Sequence, residues 1–187
     1  MDYYIGIDLG TSSCKGIITD RTGRIYGAHS VKYEVCYPRE NYSEQDPADW
    51  YSAAVEILKT LSDGIGDQVR GVSIAGQMHG LVMLDAGDNV IRPAILWNDG
   101  RTAEETAYLN TVVGKEKLSA LTANIAFAGF TAPKLLWMKK HEPENFARIR
   151  KIMLPKDYIN YRLTGVHACD YSDASGMLLL DVKNKCW

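Results

Sequence analysis

The 187-residue chain has no run of basic residues, no apolar stretch long enough to cross a bilayer, and no paired cysteines. Each absence removes a class of function. With a net charge of −2 and no basic cluster, neither nucleic acid nor an anionic membrane is expected as a partner. No segment approaches the ~20 apolar residues of a membrane-spanning helix. The chain enters a strand directly, without a basic leader or cleavage site, so a cytoplasmic location is expected. Cys14, Cys36, Cys169 and Cys186 form no C-x-x-C pair, which argues against a zinc site and for free thiols. No internal repeat, low-complexity segment or linker divides the chain. Charged residues make up 24% and hydrophobic ones 46%, an ordinary globular balance with enough length for one cored domain.

The organising stretch is the N-terminus. Tyr4–Leu9 and Cys14–Thr19 read as two strands around a polar turn, Gly10-Thr11-Ser12-Ser13. Such a turn offers backbone N–H groups, three hydroxyls and no bulk, a combination suited to phosphate oxygens. Asp8, at the strand end, is placed to hold a divalent cation through water. The Walker A phosphate loop is excluded, because Gly10 is followed by Lys15 without the Gly-Lys pair and strand rather than helix comes next. An ordinary Gly-rich hairpin turn is the competing structural reading.

Arg24–Val35 continues the hairpin as a third strand, and residues 37–47 read as loop. Asp46 and Pro47 open a helix with apolar positions Trp50, Ala53, Ala54, Ile57, Leu58 and Leu61 on one face, ended near Gly64 and Gly66. Val69–Ala75 is the next strand, giving a βαβ unit. Gly76-Gln77-Met78-His79-Gly80 stands at its C-terminal end, where ligands gather in open α/β sheets. There Gln77 and His79 offer hydrogen bonds and Met78 a soft apolar wall; a core histidine bonded to a carbonyl is the alternative. Trp97-Asn98-Asp99-Gly100-Arg101 suits a polyhydroxylated ligand, the indole covering C–H faces while Asn98 and Asp99 pair hydroxyls. It also suits a turn and helix cap. Further helices are expected over Arg101–Val112, Gly114–Leu121, Thr131–Lys140 (Leu135, Leu136 and Met138 inward), Glu142–Ile149 and Lys156–Leu163. Strands are expected at Leu81–Asp85, Val90–Leu96, Lys151–Leu154 and Leu178–Leu180.

The opening hairpin resembles that of the ATPase superfamily of actin, the Hsp70 chaperones and the sugar kinases. Ile7-Asp8-Leu9-Gly10-Thr11-Ser12, Ser43-Glu44-Gln45-Asp46-Pro47, Gly76–Gly80, Leu96–Arg101, Gly129–Trp137, Leu154–Tyr158 and Tyr171–Gly176 together narrow the likeness. The chain resembles the N-terminal part of the FGGY carbohydrate kinases, nearest to those acting on D-xylulose. A glycerol-specific relative would carry Arg-Glu where Met78-His79 stands, whereas gluconate-type relatives also carry Met-His.

The resemblance implies a ribonuclease H-like α/β domain, a mixed sheet flanked by helices. It implies ATP and Mg²⁺ as cofactors, and transfer of a phosphoryl group to the sugar's 5-hydroxyl. Gly10, Thr11, Ser12, Ser13 and Lys15 would meet the nucleotide phosphates, and Asp8 would support the metal through water. Gln77, Met78, His79, Trp97, Asn98 and Asp99 would meet the sugar. The family's general-base aspartate, in a Gly-Asp-Asn segment, has no equivalent here, since Gly87-Asp88-Asn89 lies in an early turn. Residues 1–187 are therefore expected to be an incomplete N-terminal domain, inactive alone, with the adenine-binding domain beyond it. Exposed apolar surface on such a piece would favour self-association as a homodimer. A kinase for another sugar or polyol and a non-catalytic sugar-binding module are the alternative readings.

Overall fold

The computed structural model describes every residue from Met1 to Trp187. Its centre is a four-stranded sheet. β1 (Tyr3–Leu9) and β2 (Ser13–Asp20) form the expected hairpin, in register from Tyr3 opposite Asp20 to Leu9 opposite Cys14. β3 (Ile25–Lys32) adds antiparallel to β2. After the short β4 (Glu44–Gln45), helix α1 (Pro47–Ser62) crosses over and delivers β5 (Val69–Gly76) parallel to β1. The order is β3-β2-β1-β5.

Local chemistry accounts for α1. Asp46 caps it by accepting from the Ala48 amide at 2.8 Å, and Pro47 takes the first helical position, where a missing N–H costs nothing. Trp50, Ala53, Ala54, Ile57 and Leu61 turn inward onto Ile5, Ile7, Leu9, Cys14, Ile18 and Ile74. Gly16 permits this approach: a Cβ there would meet Ile57 Cγ2 at 2.3 Å. The sheet's other face carries Tyr4, Gly6, Asp8, Lys15 and Ile17. No helix covers it, and Tyr4 and Ile17 are more than one-third exposed.

The second half of the chain packs beside the C-terminal ends of β1 and β5. It comprises β6 (Val82–Leu84), β7 (Ala94–Ile95), α2 (Ala103–Tyr108), α3 (Lys115–Thr122), α4 (Thr131–His141), α5 (Pro143–Arg148), β8 (Lys151–Met153), α6 (Pro155–Thr164) and α7 (Tyr171–Gly176). β6 pairs with β8 and β7 with β4, both antiparallel. A second core of Leu81, Met83, Ile95, Trp137 and Met138 lies here. No helix is long and apolar enough to cross a membrane.

Several expectations are corrected. Leu178–Leu180 is not a strand: Leu178 has φ +60°, and its amide bonds back to Ser175 O, ending α7. The strand expected over Val90–Leu96 is broken at Pro93, which brings no donor: Ala94–Ile95 forms β7, and Val90 keeps only an isolated bridge to Leu84. The helix expected to end at Val112 runs on through a π-helical turn, Leu109–Gly114. On α4, Leu135 and Leu136 are only half-buried, while Lys134 and Trp137 take the buried positions beside Met138.

Candidate functional site

The Gly10–Ser13 turn, expected to meet phosphates, is closed by its own backbone. The Gly10 amide donates to Ser13 O at 3.0 Å, and a Cβ on Gly10 would stand 3.0 Å from that oxygen. The amides of Thr11 and Ser12 donate to no backbone carbonyl, which leaves them available to an anion. Asp8 and Lys15 are register partners across β1 and β2, both exposed on the open face of the sheet. They line a cleft of about 400 Å³ with Gly6, Gly16, Ser73 and Ala75. No three potential ligand side chains cluster as a metal cage. A lone carboxylate on an open cleft suits an ion that keeps most of its water, as Mg²⁺ does.

Gln45 joins this turn to the rest. Buried at 2% exposure, its amide nitrogen donates to Thr11 O at 2.7 Å and Glu34 O at 3.1 Å. Its oxygen accepts from Trp50 Nε1 and Gln77 Nε2, both at 3.1 Å. The side chain thus uses its full hydrogen-bonding capacity on four different segments. The Gln77 amide adds a bond to Leu9 O at 2.7 Å, so the end of β5 is locked to the end of β1. Gln77 itself is buried, and its Oε1 has no partner within the chain.

Met78 and His79 follow at the strand end. Met78 is half exposed. His79 has φ +59°, and the Gly80 amide donates to Met78 O at 2.7 Å, closing a three-residue turn around it. A left-handed conformation at a bulky residue costs roughly 1–2 kcal/mol and persists only where the surroundings impose it. Thr131 Oγ1 donates to the His79 carbonyl at 3.1 Å, and the Phe130 ring lies against the imidazole, with centroids 4.3 Å apart. Burial, and then the nearby Lys134, hold the His79 pKa below the ordinary value, while Asp173 acts in the opposite direction.

Trp97 supplies a half-exposed indole whose Nε1 donates to Thr11 Oγ1 at 3.0 Å. The expected sugar wall and the expected phosphate turn therefore touch. Asn98 is exposed beside it. Asp99 departs from expectation. Its carboxylate has no exposure: it accepts from the Ser43 amide at 2.6 Å, the Arg101 amide at 3.0 Å, Arg101 Nε at 2.8 Å and Arg101 Nη2 at 2.7 Å. Both oxygens are occupied inside the wall, so they do not face a sugar hydroxyl.

Arg101 extends this buried network. It bonds Glu44 at 2.6 Å and stacks over Tyr42, 3.8 Å from the ring centroid. Glu44 also pairs with Arg92, which reaches Glu142. Sequence reasoning quoted Glu44, Gln45 and Lys134 only within longer segments and gave them no role. Lys134 is fully buried and donates to Gly129 O and, at 3.1 Å, to Phe130 O. Burial lowers its pKa to about 7. It thereby holds the loop that presents Phe130 to His79. A long ionisable side chain in an otherwise apolar helix segment was the available signal. A cavity of about 720 Å³ between β8, α6 and α7 includes none of the site residues expected from the sequence.

Residues 3–187 match the family model of the FGGY carbohydrate kinases, N-terminal domain. The chain belongs to the FGGY family. Similarity to individual FGGY proteins runs through its whole length. It is 48% identical over 185 residues to a xylulose kinase of Escherichia coli, covering 98% of this chain and 38% of that protein. The crystal structure of a xylulose kinase from Rhodospirillum rubrum superposes with a TM-score of 0.93 at 31% identity, covering 98% of this chain and 38% of that one. A gluconate kinase structure from Lactobacillus acidophilus gives 0.94 at 28% identity, covering 100% and 38%. The FGGY chain described here thus spans about two-fifths of the length of these relatives.

Proposed function

We propose that this chain is the sugar- and phosphate-binding part of a xylulose kinase, which phosphorylates the 5-hydroxyl of D-xylulose from ATP. Two supports combine. The xylulose kinase of E. coli shares 48% identity along nearly all of this chain. The observation that carries the mechanism is the 3.0 Å bond from Trp97 Nε1 to Thr11 Oγ1, which holds a sugar-type wall against a phosphate-type turn.

In this reading the Thr11 and Ser12 amides hold phosphate oxygens, with Ser13 beside them and Lys15 adding positive charge. Asp8 would hold a hydrated Mg²⁺, which when bound would supply charge neutralisation at the phosphates. Met78 and the Trp97 indole cover the C–H faces of the sugar. His79, kept neutral by burial, uses Nε2 to bond a hydroxyl, and Asn98 pairs another. Gln77 acts mainly by tying the strand end to Gln45. Phosphoryl transfer depends on positioning and charge more than on covalent steps, which suits a site of this make-up. The general base and the adenine site belong to the remainder of the complete kinase.

The test is a coupled assay of the complete kinase with D-xylulose, D-ribulose, L-ribulose, gluconate and glycerol, alongside His79→Ala. D-Xylulose is expected to be preferred, and the variant to lose that activity. Preference for gluconate, the substrate named for one close structural neighbour, would replace the substrate assignment while keeping the family.

A further inference from the structure

Two segments of the chain, Leu154–Tyr158 and Tyr171–Gly176, have no part in the site as described so far. They converge on His79 from behind. Gly176 closes α7, and a Cβ placed on it would lie 2.4 Å from His79 Cε1 and 2.9 Å from Nδ1. Phe130 also lies against the imidazole, with ring centroids 4.3 Å apart. The ring therefore sits in a slot whose rear wall is a glycine. His79 Nδ1 is buried without a partner, so Nε2 is the ring nitrogen left for a ligand.

The rear wall is itself anchored. Lys156 Nζ, on α6, reaches Asp157 at 2.7 Å, Asp170 at 2.7 Å and Asp173 at 3.0 Å, with its side chain 11% exposed. Burial opposes the charge on Lys156, but the bonds to Asp157 and Asp170 prevail and raise its pKa. Asp170 also caps α7, accepting from the Asp173 amide at 3.0 Å. At the other end of α7, the Ala132 amide donates to Met177 O at 3.0 Å, joining it to the helix whose Thr131 grips the His79 backbone. Gly80, the residue after His79, packs on the proline that opens α6: a Cβ there would stand 2.8 Å from Pro155 Cγ.

We propose that α7 is a positioning element for the sugar site: Gly176, held in place by Lys156, fixes the plane of the His79 imidazole against Phe130 and so determines which hydroxyl geometry His79 accepts. Neither Gly176 nor Lys156 touches substrate; both act through His79. The proposal rests on the reading that His79 faces the sugar. The atom met by a new Cβ is the end of a side chain, so a substitution at 176 displaces the ring rather than the backbone.

NMR of the chain gives the test. An NOE between Gly176 Hα and His79 Hε1 is expected in the unaltered protein, which requires no variant to fold. In Gly176→Ala, the His79 titration should move up toward the ordinary histidine range as the ring leaves its slot. Lys156→Met, remote from the ring, should weaken the same NOE by freeing α7. In the complete kinase, Gly176→Ala should lower kcat/KM for D-xylulose at least about tenfold with the KM for ATP unchanged. Absence of the NOE, or an unmoved His79 titration in folded Gly176→Ala, overturns the positioning role. A moved titration with unchanged turnover overturns instead the reading of His79 as a sugar contact, and the functional half of the proposal with it.

Discussion

The Gly10–Ser13 turn and the His79 pocket lie side by side but are built by opposite means. The turn is local. Strands β1 and β2 are consecutive, and the Gly10–Ser13 bond closes it within four residues. The pocket is assembled from β5, the Gly129–Phe130 loop, the start of α4 and the end of α7. A local turn is set by a few backbone preferences, so it tolerates change elsewhere. A pocket gathered from distant segments depends on every helix that carries one of its walls. Gln45 is the joint between them, bonding Thr11 on one side and Gln77 on the other.

Removing that joint is expected to have the largest effect. Gln45→Leu would leave Trp50 Nε1, Gln77 Nε2 and two carbonyls without buried partners. The carbonyls are only part-buried, whereas the two buried N–H groups cost about 1–3 kcal/mol each, so a loss of about 2–6 kcal/mol is expected in denaturant unfolding. A loss under about 1 kcal/mol would mean that the two regions stand independently. Next comes His79→Ala in the complete kinase. A drop of about 100-fold in kcat/KM for D-xylulose, with the ATP response kept, is expected if the pocket alone is damaged.

A smaller effect separates the pocket from the turn by pH. Lys134 has a pKa of about 7 in the folded chain against an ordinary 10.5. Between those values the unfolded chain binds more protons, so this group makes stability rise with pH from about 7 to 10.5. Below 7 the full burial penalty acts. Lys134→Met should flatten that rise, measured as Tm against pH; an unchanged slope would remove Lys134 from the account. The smallest effect belongs to the turn. Ser12→Ala should leave stability within about 0.5 kcal/mol and raise the KM for ATP only a few-fold, because its backbone amide remains. A large loss of stability would show that the Ser12 hydroxyl, exposed here, has a structural partner.

The same contrast explains what could be read from the residues. The hairpin, α1 with its Asp46 cap, and the parallel β5 follow from periodicity and turn chemistry that act over a few residues. So does the position of Met78 and His79 at a strand end. The burial of Asp99 is not legible in the residues, because the Ser43 amide and the Arg101 guanidinium enclose it only after folding. The role of Gln45 is not legible in one dimension, since Thr11 and Gln77 lie 34 and 32 residues away. Leu178–Leu180 has the composition of a strand, but Leu178 turns back on the end of α7 with φ +60°, its amide bonding Ser175 O. Gly176 was quoted as part of a polar run. Its contact with His79 is a matter of packing, which one-dimensional spacing does not encode.

The most direct test of the account is a titration of the ¹⁵N-labelled chain with D-xylulose at millimolar concentration, followed by NMR. The account predicts shifts at Met78, His79 and the Trp97 indole N–H, spreading through the Trp97–Thr11 bond to the amides of Thr11 and Ser12. Saturable shifts elsewhere that leave these groups unmoved would contradict it.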